Sequence, residues 1–571
     1  MGENQEIGNR QKSKDNRQET EVKKYRLAII VLVLLVLANV LVHLRVFRWD
    51  LTDDKIYSLS EASKELLRKT DAPIEVTLML SGDLNSGFRR LKKATQETLE
   101  EMDVYGAVRF LPSTVSQQTA DSLGLQPTVI LEREHNGKTS QTMIYPYALI
   151  TYQGKTAVVQ LLQNTLGLSG EENLNSSIEQ LEYTFMEALY KLLQTDVQRV
   201  AILEGHNEPD EIYSYDLENA LNKYFQVDRG SINGDSLDIH ILDDYQAIIV
   251  ANPQSHFGTE ELFVIDQYIM RGGSVLWAVD GVEFSDELLQ SQGKTPIIEH
   301  EIGLKELFYH YGIQIYPALV QDVQCMTIPV NVSQDSSQPN FQSIPWTYAP
   351  QLQTNPYHPV TQNLGPVMST FVSPIYPVNV QDSTIDKIVL LYTSMNTRLT
   401  AIPNEVDLNS INPDWNTFTH AHIPVAVALE GQFPSLYAHR MKPEGVISDE
   451  PIRKRSGHAR QVVIGTGSVL MNEVDQQHQP VPMGYDRYNN QQFSNRDFAV
   501  NAILWLTDGK STIPDAIIRL RSKTVPLRLL NNKRAYDERT KVELVSTVCP
   551  IAILLLLGGI VFIVRKKKYS I

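Results

Sequence analysis

Hydrophobic and polar positions follow two patterns along this chain. Each end carries one long apolar run, and between the runs shorter apolar segments recur with the spacings of strands and helices. The first run, LAIIVLVLLVLANVLVHL, covers Leu27 to Leu44, and the second, Val545–Val564, contains no charged residue. At about 1.5 Å per residue, roughly twenty apolar residues cross a hydrocarbon core of about 30 Å. The pattern therefore predicts membrane helices at 27–47 and 545–564. In the second helix Gly558 and Gly559 form a small-residue step suited to close helix–helix contact.

After the first run, LTDDKIYSLSEASKELLRKTDAPIEVTLML reads as a helix capped by Ser58 or Ser60, a stop at Pro73 and a strand. A helix, FRRLKKATQETLEEMDVY, and a strand, AVRFLP, follow. Two hairpins turn at His135–Lys138 and at Gln153-Gly154, and NSSIEQLEYTFMEALYKLLQ closes the unit as a helix. Residues 48–196 are thus expected to form an α/β domain, thioredoxin-like in arrangement but without a C-x-x-C pair.

From 197 the texture changes. VAIL, AIIVANP and SVLWAVDG are continuous apolar runs separated by helical segments, as expected for a parallel, doubly wound sheet over 197–316. Residues 317–460 are rich in Pro, Asn, Gln and Ser and read as an insertion of β and irregular structure. The α/β pattern resumes over 461–512 with QVVIGTGSVL and NRDFAVNAILWLTD, and 513–544 forms a juxtamembrane segment.

Charge adds an orientation. Seven Lys and Arg precede Leu27 and four follow Val564, which predicts that the tails 1–26 and 565–571 face the cytoplasm and that the body is exported. Counting the five acids of the first tail, a net charge of about −22 falls on the rest of the chain, against −16 overall. So acidic a body suits neither nucleic acid nor anionic headgroups. Of the two cysteines, Cys549 lies in the second apolar run, which leaves Cys325 without a partner in the body.

Motifs for chemistry are sparse. TDGKST lacks the first glycine of a P-loop, with Leu504 in its place, and GTGSVL has Leu470 at its third glycine position. No G-x-S-x-G elbow occurs. His420 and His422 would share one side of a strand, half of a metal site. No cofactor is expected. The richest polar cluster is EGHNEPD, where Glu204, His206 and Glu208 follow a strand end, with Asp280 ending another strand of the same sheet. Doubly wound sheets place ligands at such ends. The same residue types also open a helix, and no nucleophile accompanies them, so a binding cleft is favoured over a catalytic one.

LEGHNEPD, DYQAIIVANPQ with IDQYIMRGGSVLWAVDGV, WTYAPQL with NPYHPVTQNLGPV, and FSNRDFAVNAILWLTDG occur in that order. In this the chain resembles the auxiliary, substrate-binding-type subunit of gliding-motility ABC transporters, the GldG type of Bacteroidota. The resemblance implies an inner-membrane protein with a periplasmic body, a separate permease and a separate cytoplasmic ATPase as partners, and no P-loop of its own. Residues 464–472, IGTGSVLMN, depart from the more acidic strand end of such relatives. Two alternatives stand beside it: a periplasmic hydrolase or amidase using Glu204, His206, Glu208 and Asp280, and a glycan-binding module using Trp346, Tyr348 and Tyr357.

Overall fold

The computed structural model describes residues 58–508, apart from 83, 112–119, 121, 134–138, 165–167, 195–196, 235, 332–339, 379–383 and 409–413, together with 558, 559 and 562. Both expected membrane runs, both tails and the juxtamembrane segment thus lie outside the described residues, except for Phe562 and the pair Gly558 and Gly559. These two are helical and exposed, with open space where a Cβ would stand. Among the described residues no helix is long and apolar enough to cross a membrane.

The N-terminal unit starts with helix α1 (Glu61–Arg68). Ser60 caps it by accepting the Ser63 N–H at 3.1 Å. Strand β1 (Ile74–Leu78), helix α2 (Ser86–Asp103), strand β2 (Val108–Leu111) and the hairpin β3 (Tyr147–Tyr152) and β4 (Lys155–Gln160) follow. Gln153 (φ 47°) and Gly154 (φ 80°) both take the left-handed backbone that a two-residue hairpin turn requires. The sheet runs β2-β1-β3-β4, with β1 parallel to β2 and antiparallel to β3. A separate hairpin, Thr128–Arg133 with Thr139–Ile144, lies between β2 and β3 in the chain. Helices α3 (Gly170–Glu179) and α4 (Leu181–Leu193) complete the unit. Glu182 of α4 ties it back to α1 by accepting the Ser60 N–H (2.7 Å) and the Ser63 hydroxyl (2.5 Å).

The central sheet begins with β5 (Arg199–Glu204), α5 (Tyr215–Leu221), β6 (Gln226–Ser231), β7 (Ala247–Ala251), α6 (Thr259–Met270) and β8 (Ser274–Ala278). After helix α7 (Lys305–His310) come β9 (Cys325–Asn331), β10 (Phe341–Thr354), β11 (Thr384–Tyr392), β12 (Pro424–Pro434), β13 (Arg455–Ile464) and helix α8 (Asn495–Thr507). The order is β9-β10-β11-β12-β13-β8-β7-β5-β6. From β13 to β6 every pairing is parallel, and from β9 to β13 every pairing is antiparallel.

Alternation sends the side chains of the parallel half to two cores. Val200, Ile202, Ile249, Leu276 and Val462 pack with α5 and α8, whereas Ala201, Leu203, Val250, Trp277 and Val463 pack with α6. Strands buried on both faces must be apolar throughout, which explains the continuous runs. Residues 317–460, expected as an insertion of β and irregular structure, extend the same sheet through β9, β10, β11 and β12. Their Pro and Gln content disguised strands that pair antiparallel and cover only part of each face.

Candidate functional site

The parallel strands end on one edge, and the residues singled out from the sequence lie along it without forming one cluster. At the end of β5, Gly205 (φ 112°) and Asn207 (φ 61°) turn the chain sharply. A Cβ on Gly205 would press on Ser231 at 3.2 Å and Asn233 at 3.3 Å. This turn folds Glu208 back, so that one carboxylate oxygen accepts the N–H of Gly205 (3.0 Å) and of His206 (2.8 Å).

His206 is 2% exposed and its ring lies on Phe257, centroids 3.6 Å apart. Nε2 lies 3.1 Å from Glu261 Oε2, and Nδ1 faces Glu208 Oε1 at 3.5 Å. Those last two atoms have no other hydrogen-bond partner. Burial alone would lower the imidazole pKa, but Glu208 and Glu261 outweigh it and hold His206 above its ordinary value. Burial likewise works to raise Glu208, and His206 with the backbone N–H groups reverses it, leaving Glu208 below the usual carboxylate range. The result is a histidine ring held between two carboxylates that favour its protonated form.

Glu204 turns away from this clamp. It accepts from Arg229 at 2.6 Å, and Arg229 also donates to Glu218 (2.7 Å) and Ser214 (2.7 Å). Asp280, at the end of β8, accepts the Gly467 N–H at 2.9 Å, and burial raises its pKa. Beside it lies a cleft of about 40 Å³ lined in part by His300, Glu299 and Lys305. Of the four candidates, then, only His206 and Glu208 meet.

Glu261, Phe257, Gln254 and Ser255 were missed from sequence. Glu261 had a signal: it stands third in TEEL at the start of α6, a position whose side chain folds back onto the helix start, and it accepts the Gly258 N–H. Gln254 and Ser255 contribute main-chain N–H groups, which sequence does not display. Both donate to the His206 carbonyl, at 2.7 and 2.8 Å.

These two bonds decide what the edge can do. Strand order β6-β5-β7-β8 reverses direction between β5 and β7, and the crevice at such a reversal is where open parallel sheets bind ligands. Here the loops after β5 and β7 are bonded to each other across it. His206 is buried, its ring faces two part-buried carboxylates, and the arrangement fastens the two loops together.

The other candidates are displaced as well. His420 pairs through its backbone with Thr397, but His422 has φ 51° and sets its ring edge against Tyr392, so the two do not share a strand face. Among the described residues no group of three or more His, Cys, Asp or Glu is placed to hold a metal ion. Trp346 is 7% exposed and packs against Tyr348 and Phe371, which removes it as a stacking platform, whereas Tyr357 is exposed. Burial pushes the Cys325 thiol up to about 12.

Comparison with known proteins follows the same division of the chain. Residues 53–151 match a domain of unknown function. An uncharacterized protein of Borreliella burgdorferi is 22% identical over 319 residues, covering 54% of this chain and 58% of that protein, so the chain spans less than two thirds of this relative. The mmIFT52 N-terminal domain aligns with 55% of this chain and 99% of its own at 13% identity, with a TM-score of 0.31, too low to argue from. Residues 198–502, more than half of the chain, match the family described as an ABC-type uncharacterized transport system. The protein belongs to that family, as an ABC transporter auxiliary protein.

Proposed function

We propose that the protein is a non-catalytic accessory subunit of an inner-membrane ABC-type assembly serving gliding motility or envelope transport, with a permease and a cytoplasmic ATPase as partners. In this reading the apolar runs 27–47 and 545–564 anchor the chain, both tails are cytoplasmic and the acidic body is periplasmic. The N-terminal unit is thioredoxin-like in strand order, and the central unit is a doubly wound sheet with an antiparallel extension.

One observation carries the non-catalytic part. The strand-end crevice that would take a substrate is bridged by the bonds from Gln254 and Ser255 to His206, and its ionisable groups are spent on one another. The family match supports the transport context.

Purification of the full chain in mild detergent at native expression should recover a permease and an ATPase, and recovery of the protein alone would count against the reading. Reporter fusions after Met1 and after Ile571 should behave as cytoplasmic, and one near Gln338 as periplasmic. Active alkaline phosphatase at the C-terminus would overturn the topology. His206→Ala with Glu208→Ala tests the hydrolase alternative: loss of function in a folded, assembled complex would revive it.

A further inference from the structure

A cleft larger than the one beside Asp280 lies away from the strand-end edge, between the N-terminal unit and the parallel half. It measures about 330 Å³, within the range of about 300–1,000 Å³ usual for ligand sites. One wall is strand β4, from Ala157 to Gln160; α4 supplies Tyr183, Thr184 and Lys191; Tyr224 and Arg496 close the far side. The hydroxyls of Tyr183 and Tyr224 bond to each other and tie the two walls together.

Strand β4 is the outer strand of its sheet. Its pairing with β3 places Tyr152 opposite Lys155, and the Leu161 N–H reaches the Pro146 carbonyl at 2.8 Å. Antiparallel alternation then directs the main-chain groups of residues 155, 157 and 159 toward β3, and those of Thr156, Val158 and Gln160 outward. The Gln160 carbonyl is taken by the Gln163 amide at 3.3 Å. Among the described residues nothing bonds to the outward N–H or carbonyl of Val158, whose side chain is 42% exposed.

An open strand edge running along a cleft is the setting in which an extended peptide adds as a further strand. Of the charged residues that line the cleft, Lys191 pairs with Glu187 at 3.1 Å and Arg496 reaches Asp216 at 3.5 Å, and Lys223 and Asp497 are engaged as well. The amides and hydroxyls of Gln160, Gln163, Gln180, Tyr183 and Thr184 are likewise bonded within the chain, so recognition falls to the outward main-chain groups of Val158. We infer that this cleft docks an extended, largely uncharged polypeptide segment of a partner subunit, added as a fifth strand beside β4. The identity of the partner as a transporter subunit rests on the accessory-subunit reading; the strand-addition geometry does not.

Val158→Pro removes the outward N–H while leaving the bonds to β3, the placement at which an edge strand tolerates proline. The full chain is expressed in native membranes with the photo-reactive residue p-benzoylphenylalanine at Lys223, on the opposite wall. Irradiation should give a cross-link to one defined segment of one partner protein. Val158→Pro should reduce that product roughly fivefold, as expected when one main-chain bond of about 1 kcal/mol is lost. Thr184→Trp, which fills the cleft from a half-buried helix position and leaves the sheet untouched, should do the same with an unchanged melting profile.

A cross-link to a second copy of this chain, a cross-link indifferent to both substitutions, or none above that from an exposed control site would overturn the proposal. Co-purification of permease and ATPase without the cross-link would sink this inference and leave the accessory role standing. A proline-sensitive cross-link to an unrelated protein would do the reverse.

Discussion

The two halves of the central sheet are built from different cement. In the parallel half, β7 and β8 are buried at every residue, and their stability comes from apolar side chains packed against helices on both faces. Beside the antiparallel half, a separate strand pair, Ala318–Asp322 with Thr397–Ala401, carries buried polar groups that tie it to the strands and loops of that half. Asp322, fully buried, accepts the Ser394 N–H (2.6 Å), the Ser394 hydroxyl (2.5 Å) and the Gln324 N–H (2.8 Å). Gln321 accepts from Thr347 and from Arg398, both at 2.8 Å. One half is specified by volume, the other by hydrogen-bond geometry, and the two should fail differently.

Trp277→Ala should have the largest effect. Trp277 is fully buried in β8, lies edge-on to Phe308 at 5.5 Å and donates to Gln461 at 2.8 Å. Truncating a buried Trp costs about 3–5 kcal/mol, and here a buried amide also loses its partner. Urea denaturation should show a large fall in midpoint. A change below about 1 kcal/mol would mean that the parallel half is not held by packing.

Asp322→Ala should cost somewhat less, about 3 kcal/mol, because three donors lose an acceptor but little apolar volume is removed. The comparison sharpens with Asp322→Leu, which restores volume and none of the bonds. If Leu rescues Ala, packing rather than hydrogen bonding sustains the antiparallel half as well, and the proposed contrast collapses.

This contrast also explains what the sequence made legible. AIIVA and SVLWA could be recognised as parallel strands because burial on both faces leaves no room for polar residues. Strand β10, FQSIPWTYAPQLQT, could not, because its prolines and glutamines match loop chemistry unless their partners are known. Thr347 looks like a surface residue until Gln321, twenty-six positions earlier, is seen to accept its proton. At the candidate site, EGHNEPD revealed a strand end and a polar loop. It could not reveal Glu261, fifty-five positions further on, which makes His206 a clamp. Long-range polar partners carry no periodicity.

A smaller effect, on the order of 2 kcal/mol near pH 6, is expected for His206→Gln, which leaves two part-buried carboxylates without their cation. The pH dependence has a definite sign. His206 is raised in the folded chain, so its contribution is complete below the unfolded value of about 6.5 and is lost as pH rises through the folded value. Glu208 is lowered, so its contribution is present above about 4.3 and is lost as pH falls through the folded value. The clamp should therefore stabilise most in mildly acidic solution. A stability difference between wild type and His206→Gln that stays flat from pH 5 to about pH 9 would show that His206 is not charged in the fold.

The smallest effect should come from Asp266→Asn, and it tests the joint between the halves. Asp266 sits fully buried on α6, under the parallel half, and accepts the Ser435 hydroxyl (2.7 Å) and the Leu436 N–H (2.8 Å) from the loop after β12. The next residue on the helix, Gln267, donates to it at 2.9 Å and accepts the Arg453 N–H at 2.8 Å, so the tether is shared. Burial raises the Asp266 pKa against the pull of those donors. A raised carboxylate binds its proton more tightly folded than unfolded, so wild-type stability must fall as pH rises from about 3.9 through the folded value. Asn keeps the shape, cannot ionise and loses one acceptor. It should cost about 1 kcal/mol near pH 4, and that cost should shrink or change sign toward neutrality, where the wild type bears the burden of a buried charge. Denaturation midpoints of the two proteins at pH 4 and pH 7 decide it. A cost that grows toward neutral pH would mean that the donors from Ser435 and Leu436 stabilise an ionised Asp266, and that charge, as well as hydrogen-bond geometry, fastens the antiparallel half to the parallel one.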